Sequence, residues 1–265
     1  DVSKINAADG APVTVHEETA ELIKKGLYYG DLSNGKFDIT IGKLSDLWDI
    51  STKALLDQTD VSMIPSDDEI QKALTTVDYQ NVVVDGNTVT LQDPSAKIDL
   101  GGIAKGYIAD RMKDYLNQKG AACGYINLGG NVLCLGAKPD GSSYNIGIQR
   151  PFDEEGAAML AVSVTDQTVV SSGVYERYFE VDGKRYHHIL DTATGYPYDN
   201  GLLGVSIITD ESVDGDGLST TCFALGLADG MALVESLDNT EAVFITEDYE
   251  LHFSSGMGTK IPYQV

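Results

Sequence analysis

Lys97-Ile98-Asp99-Leu100-Gly101-Gly102-Ile103-Ala104-Lys105-Gly106, continuing as YIADRMKDYLNQKG to Gly120, decides the fold. Lys97–Leu100 reads as a strand, and residues 103–119 read as an amphipathic helix ended by Gly120. The elements on either side say which strand-to-helix fold this is. Upstream, apolar residues at Ala20, Leu22, Ile23, Leu27 and Tyr28 predict a helix over residues 15–29. Ser66-Asp67-Asp68-Glu69 after Pro65 is a capping box that opens a helix running to Val77. Within residues 81–100, VVV and TVTL flank a type I′-style turn at Asp85-Gly86-Asn87, ahead of the KIDL strand. Downstream, residues 124–209 read as β-rich, broken by Gly, Pro and Asp turns. Residues 217–237 read as one or two helices interrupted at Asp229-Gly230, and strands follow near 242–246 and 250–253. There is no regular βαβ rhythm. The expected fold class is therefore α+β, rich in antiparallel sheet.

Composition narrows the function. The 265 residues carry 18 Lys+Arg against 41 Asp+Glu, a net charge of −23. A hydrophobic share of 42%, with 14 Tyr and 6 Phe, is enough for a core, so the acidity does not mean disorder. It does exclude nucleic acid and anionic membrane surfaces, which need clustered cations. An anionic ligand would need local help from a cation or a helix N-terminus. Cys123, Cys134 and Cys222 lie in apolar contexts without CxxC spacing and read as buried, inert thiols. No apolar run approaches the roughly 18–20 residues of a membrane span.

Five stretches carry the chemistry. In Asp99–Gly106 a double glycine turns a strand into a helix start, where free N–H groups and Lys105 suit a phosphate. Alone, it also reads as a tight turn with a solvated lysine. Asn127-Leu128-Gly129-Gly130-Asn131 reads as a turn between strands or a close backbone approach to a ligand. Ser172, in Ser171-Ser172-Gly173, lacks the setting of a nucleophile elbow and reads as a ligand contact or structural residue. His187-His188-Ile189-Leu190-Asp191 puts two of the four histidines at a strand end, facing opposite sides, so at most one enters a given site. Asp216 and Thr220 stand at i, i+4 after Asp214-Gly215. On a helix they offer a carboxylate and a hydroxyl on one face, a pair suited to Mg²⁺, or else a capping Asp and a buried Thr.

In this order the blocks GKFDITIGKLSDLWDI, KIDLGGIAKGYIADRM, INLGGNVLCLG, VVSSGVYERYFEVDGKRYHHILDTATGYP and DGDGLSTTCFALG resemble the FAD:protein FMN transferases, the ApbE flavin transferase family. The resemblance implies a T-fold-like α+β architecture, as a single domain over residues 1–265 that lacks the family's N-terminal segment. It implies Mg²⁺-dependent transfer of FMN from FAD to a Thr or Ser hydroxyl of an acceptor protein, with release of AMP. The acceptor would be a redox-complex subunit or an FMN-binding domain. The same site acting on water would be an FAD pyrophosphatase, and without turnover a plain FAD-binding protein.

Carried over motif by motif, the Mg²⁺ ligands would be Asp216, Thr220 and a backbone carbonyl at Gly102, with Ala104 the register alternative. Asp99, Lys105 and Ser172 would contact FAD, with Lys105 near the pyrophosphate. Lys36, Phe37, Asp38 and Ile189 would line its ring pockets. His188 would be the base for the acceptor hydroxyl. The full-length protein would be extracytoplasmic and lipid-anchored, with no membrane span in this chain.

Overall fold

The computed structural model describes residues 1–265 apart from residues 57 and 155. The chain divides into two compact units, residues 1–101 with 176–199, and residues 102–175 with 200–265.

The first unit holds α1 (Val2–Asn6), β1 (Val13–Thr14), α2 (Glu17–Leu32), α3 (Gly42–Trp48), α4 (Ile50–Lys53), α5 (Asp67–Leu74), β2 (Val82–Asp85) and β3 (Thr88–Leu91). The chain returns to this unit later as a hairpin, described below. β1, β3 and β2 form an antiparallel sheet in that order. The capping box forms as read: Ser66 Oγ accepts from Glu69 N–H at 3.4 Å, and the Glu69 carboxylate accepts from Ser66 N–H at 2.9 Å. The β2–β3 turn differs from expectation. Gly86 takes φ 56°, but Asn87 is not among the positive-φ residues, so the turn lacks the double left-handed geometry of type I′. KIDL is not a strand either. Its one ladder contact is an isolated bridge from Lys97 to Ile41, and Asp99 N–H donates to Ile39 O at 2.7 Å.

The second unit opens with α6 (Ala104–Gln118), close to the span read from sequence. β4 (Gly124–Leu128), β5 (Asn131–Leu135), β6 (Tyr144–Gln149), β7 (Ala158–Val164) and β8 (Thr168–Gly173) follow. The hairpin of the first unit comes next, β9 (Tyr178–Val181) and β10 (Lys184–His187). It packs Phe179, Val181 and Tyr186 into that unit's core with Leu44, Trp48, Ile50 and Ile70. The second unit resumes with β11 (Leu202–Thr209), α7 (Ser212–Glu235), β12 (Glu241–Thr246), β13 (Leu251–Phe253) and β14 (Tyr263–Gln264). Its main sheet has the order β13-β12-β11-β8-β5-β4, with every neighbouring pair antiparallel, and β14-β7-β6 form a smaller sheet. The α+β, antiparallel expectation therefore holds.

β11 is buried along all of its 8 residues, as a central strand covered by α7 must be. The break in α7 falls at Gly226, with φ 81° and ψ 176°, and not at Asp229-Gly230. Gly230 serves packing instead, since a Cβ there would meet Cys222 O at 2.7 Å and the Phe244 ring at 3.0 Å. Among the described residues α7 is the one helix long and apolar enough to cross a bilayer, and half of its most apolar window is buried within the protein. Cys134 and Cys222 are buried, and desolvation raises their thiols to about 11 and about 12. Cys123 corrects the uniform cysteine reading. It is exposed, in the turn ahead of β4, the edge strand of the main sheet.

Candidate active site

In the second unit the site grows from the meeting of two helix N-termini. The buried face of α6 is small, with Gly106, Ala109 and Asp110. A Cβ on Gly106 would stand 2.2 Å from Ser212 O and 2.7 Å from Val213 Cα, so only glycine lets the first turn of α7 come this close. Each helix then caps the other. Asp216, one turn into α7, accepts the Gly106 N–H of α6 at 2.8 Å. Asp110, in α6, accepts the Ser212 and Val213 N–H groups of α7 at 2.8 Å each. These are donors that an isolated helix leaves without partners, and a carboxylate also suits the positive end of the dipole. Asp216 is thus no cap of its own helix, the structural alternative read from sequence.

Thr220 lies on the same face of α7, one turn beyond Asp216. Its hydroxyl bonds Ser172 Oγ at 3.1 Å, and Ser172 Oγ also bonds Ser219 Oγ at 2.9 Å. Both of these partners of Ser172 are hydroxyls. Gly102 precedes the first turn of α6, and Lys105 is half-buried within that turn. No hydrogen bond or ion pair of the Lys105 ammonium occurs among the described residues, in a chain with 41 acidic side chains. A cation beside helix N–H groups is anion-binding chemistry. One carboxylate, one hydroxyl and one backbone carbonyl are all hard oxygens, the donor set that suits Mg²⁺ when waters and phosphate oxygens complete its shell. Among the described residues no group of three or more His, Cys, Asp or Glu is placed to hold a metal, so an all-protein cage is not on offer.

Sequence reasoning missed Asp110 and the polar group behind it. Ser212 Oγ donates to Asn131 Oδ1 at 2.7 Å and bonds Thr168 Oγ1 at 3.1 Å, all buried. Desolvation raises Asp110 to about 6, against the pull of its two N–H bonds. One signal was available: an acidic residue on the inward face of an amphipathic helix, one turn after Gly106.

In the first unit the predicted residues fall into two groups. Phe37 is buried edge-on to Tyr29, with ring centroids 5.7 Å apart. The Asp38 carboxylate accepts from Thr40 N–H at 2.7 Å, Thr40 Oγ1 at 2.6 Å and Tyr79 N–H at 2.9 Å, and burial raises its pKa. Phe37 and Asp38 are therefore built into their own loop, while Lys36 is exposed. Asp99 folds back to accept Gly101 N–H at 2.8 Å, fixing the turn of the double glycine.

The histidine pair splits as expected of opposite faces. His187 is buried. Its Nε2 donates to Tyr198 O at 2.8 Å and its Nδ1 accepts from Ile189 N–H at 3.3 Å, a pattern that fixes the neutral tautomer. Desolvation lowers it to about 4. His188 is half-buried, with Nδ1 at 3.3 Å from Arg177 O. Of the two, His188 is the one not walled in. Ile189 is buried, and the turn that follows is closed by Asp191, which accepts from Ala193 N–H at 2.9 Å and Thr194 Oγ1 at 3.1 Å. Gly195 has φ 76° and contacts so tight that a Cβ would lie 2.5 Å from Ile70. Arg177 also lines a groove of about 400 Å³ with Lys53, Leu56, Thr59, Tyr178 and Glu180.

An antiparallel α+β protein with this arrangement has the makings of a phosphate-handling enzyme. Comparison with known proteins names the family. The ApbE family profile matches residues 1–244. A FAD:protein FMN transferase of Klebsiella pneumoniae is 40% identical over 257 residues, covering 96% of this chain and 77% of the relative. Another, of Treponema pallidum, is 34% identical over 276 residues, covering 98% and 74%. The ApbE protein structure of Thermotoga maritima superposes with a TM-score of 0.84 at 35% identity, covering 96% of this chain and 81% of that one. The flavin transferase ApbE of Vibrio cholerae gives 0.81 at 27% identity, covering 96% and 81%. The chain belongs to the ApbE family.

Proposed function

We propose that this protein transfers FMN from FAD to a Ser or Thr hydroxyl of an acceptor flavoprotein, with Mg²⁺ bound. The observation that carries the reading is Asp216 bonded to the first turn of α6 at Gly106, with Thr220 one turn further along α7 and a Lys105 ammonium that has no hydrogen bond or ion pair among the described residues. The names of the relatives supply the substrate. Asp216, Thr220 and the Gly102 carbonyl would hold the cation, which supplies neutralisation of pyrophosphate charge. Lys105 and the N–H groups of Gly102 and Ile103 bind phosphate oxygens, and Asp99 shapes the turn by taking the Gly101 N–H. Of the residues predicted to line the ring pockets, Phe37, Asp38 and Ile189 are buried within the first unit, and Lys36 is exposed.

In the reaction, the acceptor oxygen attacks the phosphorus on the FMN side of the pyrophosphate. The bond from that phosphorus to the bridging oxygen breaks, and AMP leaves with the bridging oxygen. His188 takes the hydroxyl proton. Phosphoryl-type transfer of this kind relies on positioning and charge stabilisation more than on covalent help. His187, neutral and fixed by two hydrogen bonds, orients the backbone at Ile189 and takes no proton.

The test mixes the protein with FAD, Mg²⁺ and an FMN-binding acceptor domain, and reads flavin fluorescence on the denatured acceptor in a gel. A fluorescent acceptor, lost with EDTA, supports the proposal. An unlabelled acceptor at saturating FAD and Mg²⁺ overturns it.

A further inference from the structure

The residues assigned to the cation and the phosphate lie on two helices whose mutual register nothing in either helix alone would fix. Ser212 and Val213 stand four and three residues before Asp216, so a shift of the first turn of α7 carries Asp216 and Thr220 with it as a rigid rod. That first turn is anchored at two points. Asp110 accepts both of its leading N–H groups at 2.8 Å, and Asn131 accepts the Ser212 hydroxyl at 2.7 Å. Gly106, the residue Asp216 bonds in return, is a point of close approach of the two helices. Asp110 is 6% exposed and Asn131 1%, so water does not replace either acceptor easily. An isolated N-cap needs only a small surface side chain. A buried carboxylate reaching across from a second helix is a costly substitute, and what it adds is a fixed relation between the helices.

We propose that Asp110 is a positioning residue of the cation site: it clamps the N-terminus of α7 to α6, and so fixes where Asp216 and Thr220 stand relative to the first turn of α6. Asn131 is the second, weaker anchor of the same turn. This rests on the reading of Asp216 and Thr220 as cation ligands given above. Asp110 touches neither substrate nor cation and takes no proton in the reaction. Residues that orient metal ligands typically govern about 10–100-fold in metal affinity. Asp110→Asn keeps one acceptor and turns an amide N–H₂ towards the other helix donor, which loosens the clamp without emptying the site.

The test titrates wild-type protein, Asp110→Asn, Asn131→Ala and Asp216→Ala with Mn²⁺ alone and reads the free ion by electron paramagnetic resonance. Circular dichroism checks folding, and transfer rates are followed against Mg²⁺ concentration. The expected result is a Kd for Mn²⁺ raised about tenfold in Asp110→Asn and about threefold in Asn131→Ala, with the lost rate recovered at high Mg²⁺. Mn²⁺ affinity within twofold of wild type in a folded Asp110→Asn overturns the proposal. If that variant does not fold, unchanged affinity in Asn131→Ala overturns it instead. Binding that survives in Asp216→Ala, or is absent from the wild type, overturns the cation reading itself and the clamp with it. Binding lost in Asp216→Ala but intact in Asp110→Asn overturns the clamp alone.

Discussion

His187 in the first unit and the helix-capping pair Asp110 and Asp216 in the second are buried and satisfied in opposite ways. The first unit buries a base, His187, satisfied by backbone: a carbonyl on one ring nitrogen and an N–H on the other, both within 11 residues of it in sequence. The second buries acids, Asp110 and Asp216, satisfied by N–H groups of a helix more than 100 residues away. A local pair shapes a turn, here the one that follows β10. A long-range pair fixes two rigid bodies, which is what a site assembled from two helices requires. The chemistry follows the same division. His187 is held neutral by its burial. Asp110 and Asp216 each turn a carboxylate to N–H groups of the opposite helix.

The contrast breaks hardest at His188. Replacing it with Ala is expected to lower the transfer rate by about 10²–10⁴-fold, the usual worth of a positioned base. FAD binding, read by fluorescence quenching, is expected to stay within a few-fold of wild type. The same replacement at His187 is expected to lower stability instead of the pH-dependent chemical step.

Next comes the helix contact. Gly106→Ala forces a methyl against the Ser212 carbonyl. Overpacking of backbone at this distance is expected to cost about 3 kcal/mol or more in urea unfolding. Gly86→Ala, with nothing within 4 Å of its added Cβ, is expected to show only the smaller cost of its positive φ.

Acid sharpens the contrast further. His187 has a folded value of about 4 against an ordinary 6.5. Between those values the unfolded chain binds a proton that the folded one refuses, so stability from this group is full above pH 6.5 and falls by about 3 kcal/mol as pH drops to 4. Asp110 runs the other way. With a folded value of about 6 against an ordinary 3.8, it takes up a proton in the folded state first, so its contribution rises as pH falls from 6 towards 4. NMR titration is expected to place the His187 midpoint near 4, and a midpoint near 6.5 would remove the contrast. The smallest effect is at the capping box: Ser66→Ala is expected to cost about 1 kcal/mol in the same unfolding assay.

What was legible in the sequence follows the same local and non-local line. The Ser66–Glu69 box could be read because its chemistry closes within one turn. So could the Asn127–Asn131 turn, in which Gly129 and Gly130 take φ 61° and 90° and Asn127 Oδ1 accepts from Gly130 N–H. KIDL has the composition of a strand, but strand pairing needs a partner, and Lys97 finds only a single bridge. Asp229-Gly230 looks like a helix break, yet Gly230 is there to admit the Phe244 ring, and the break falls at Gly226. Asp216 and Thr220 stood out by their i, i+4 spacing. Asp110 did not, because the donors that give it meaning are 102 and 103 residues further along.

The most direct measurement counts both products at once. Wild-type protein and Asp216→Ala are each incubated with FAD, Mg²⁺ and acceptor, and intact-mass analysis of the acceptor is set against chromatography of released AMP. The expected result is one FMN added to the acceptor for each AMP released by the wild type, and neither product above background with Asp216→Ala. AMP with free FMN and an unmodified acceptor, or undiminished transfer by Asp216→Ala, would contradict it.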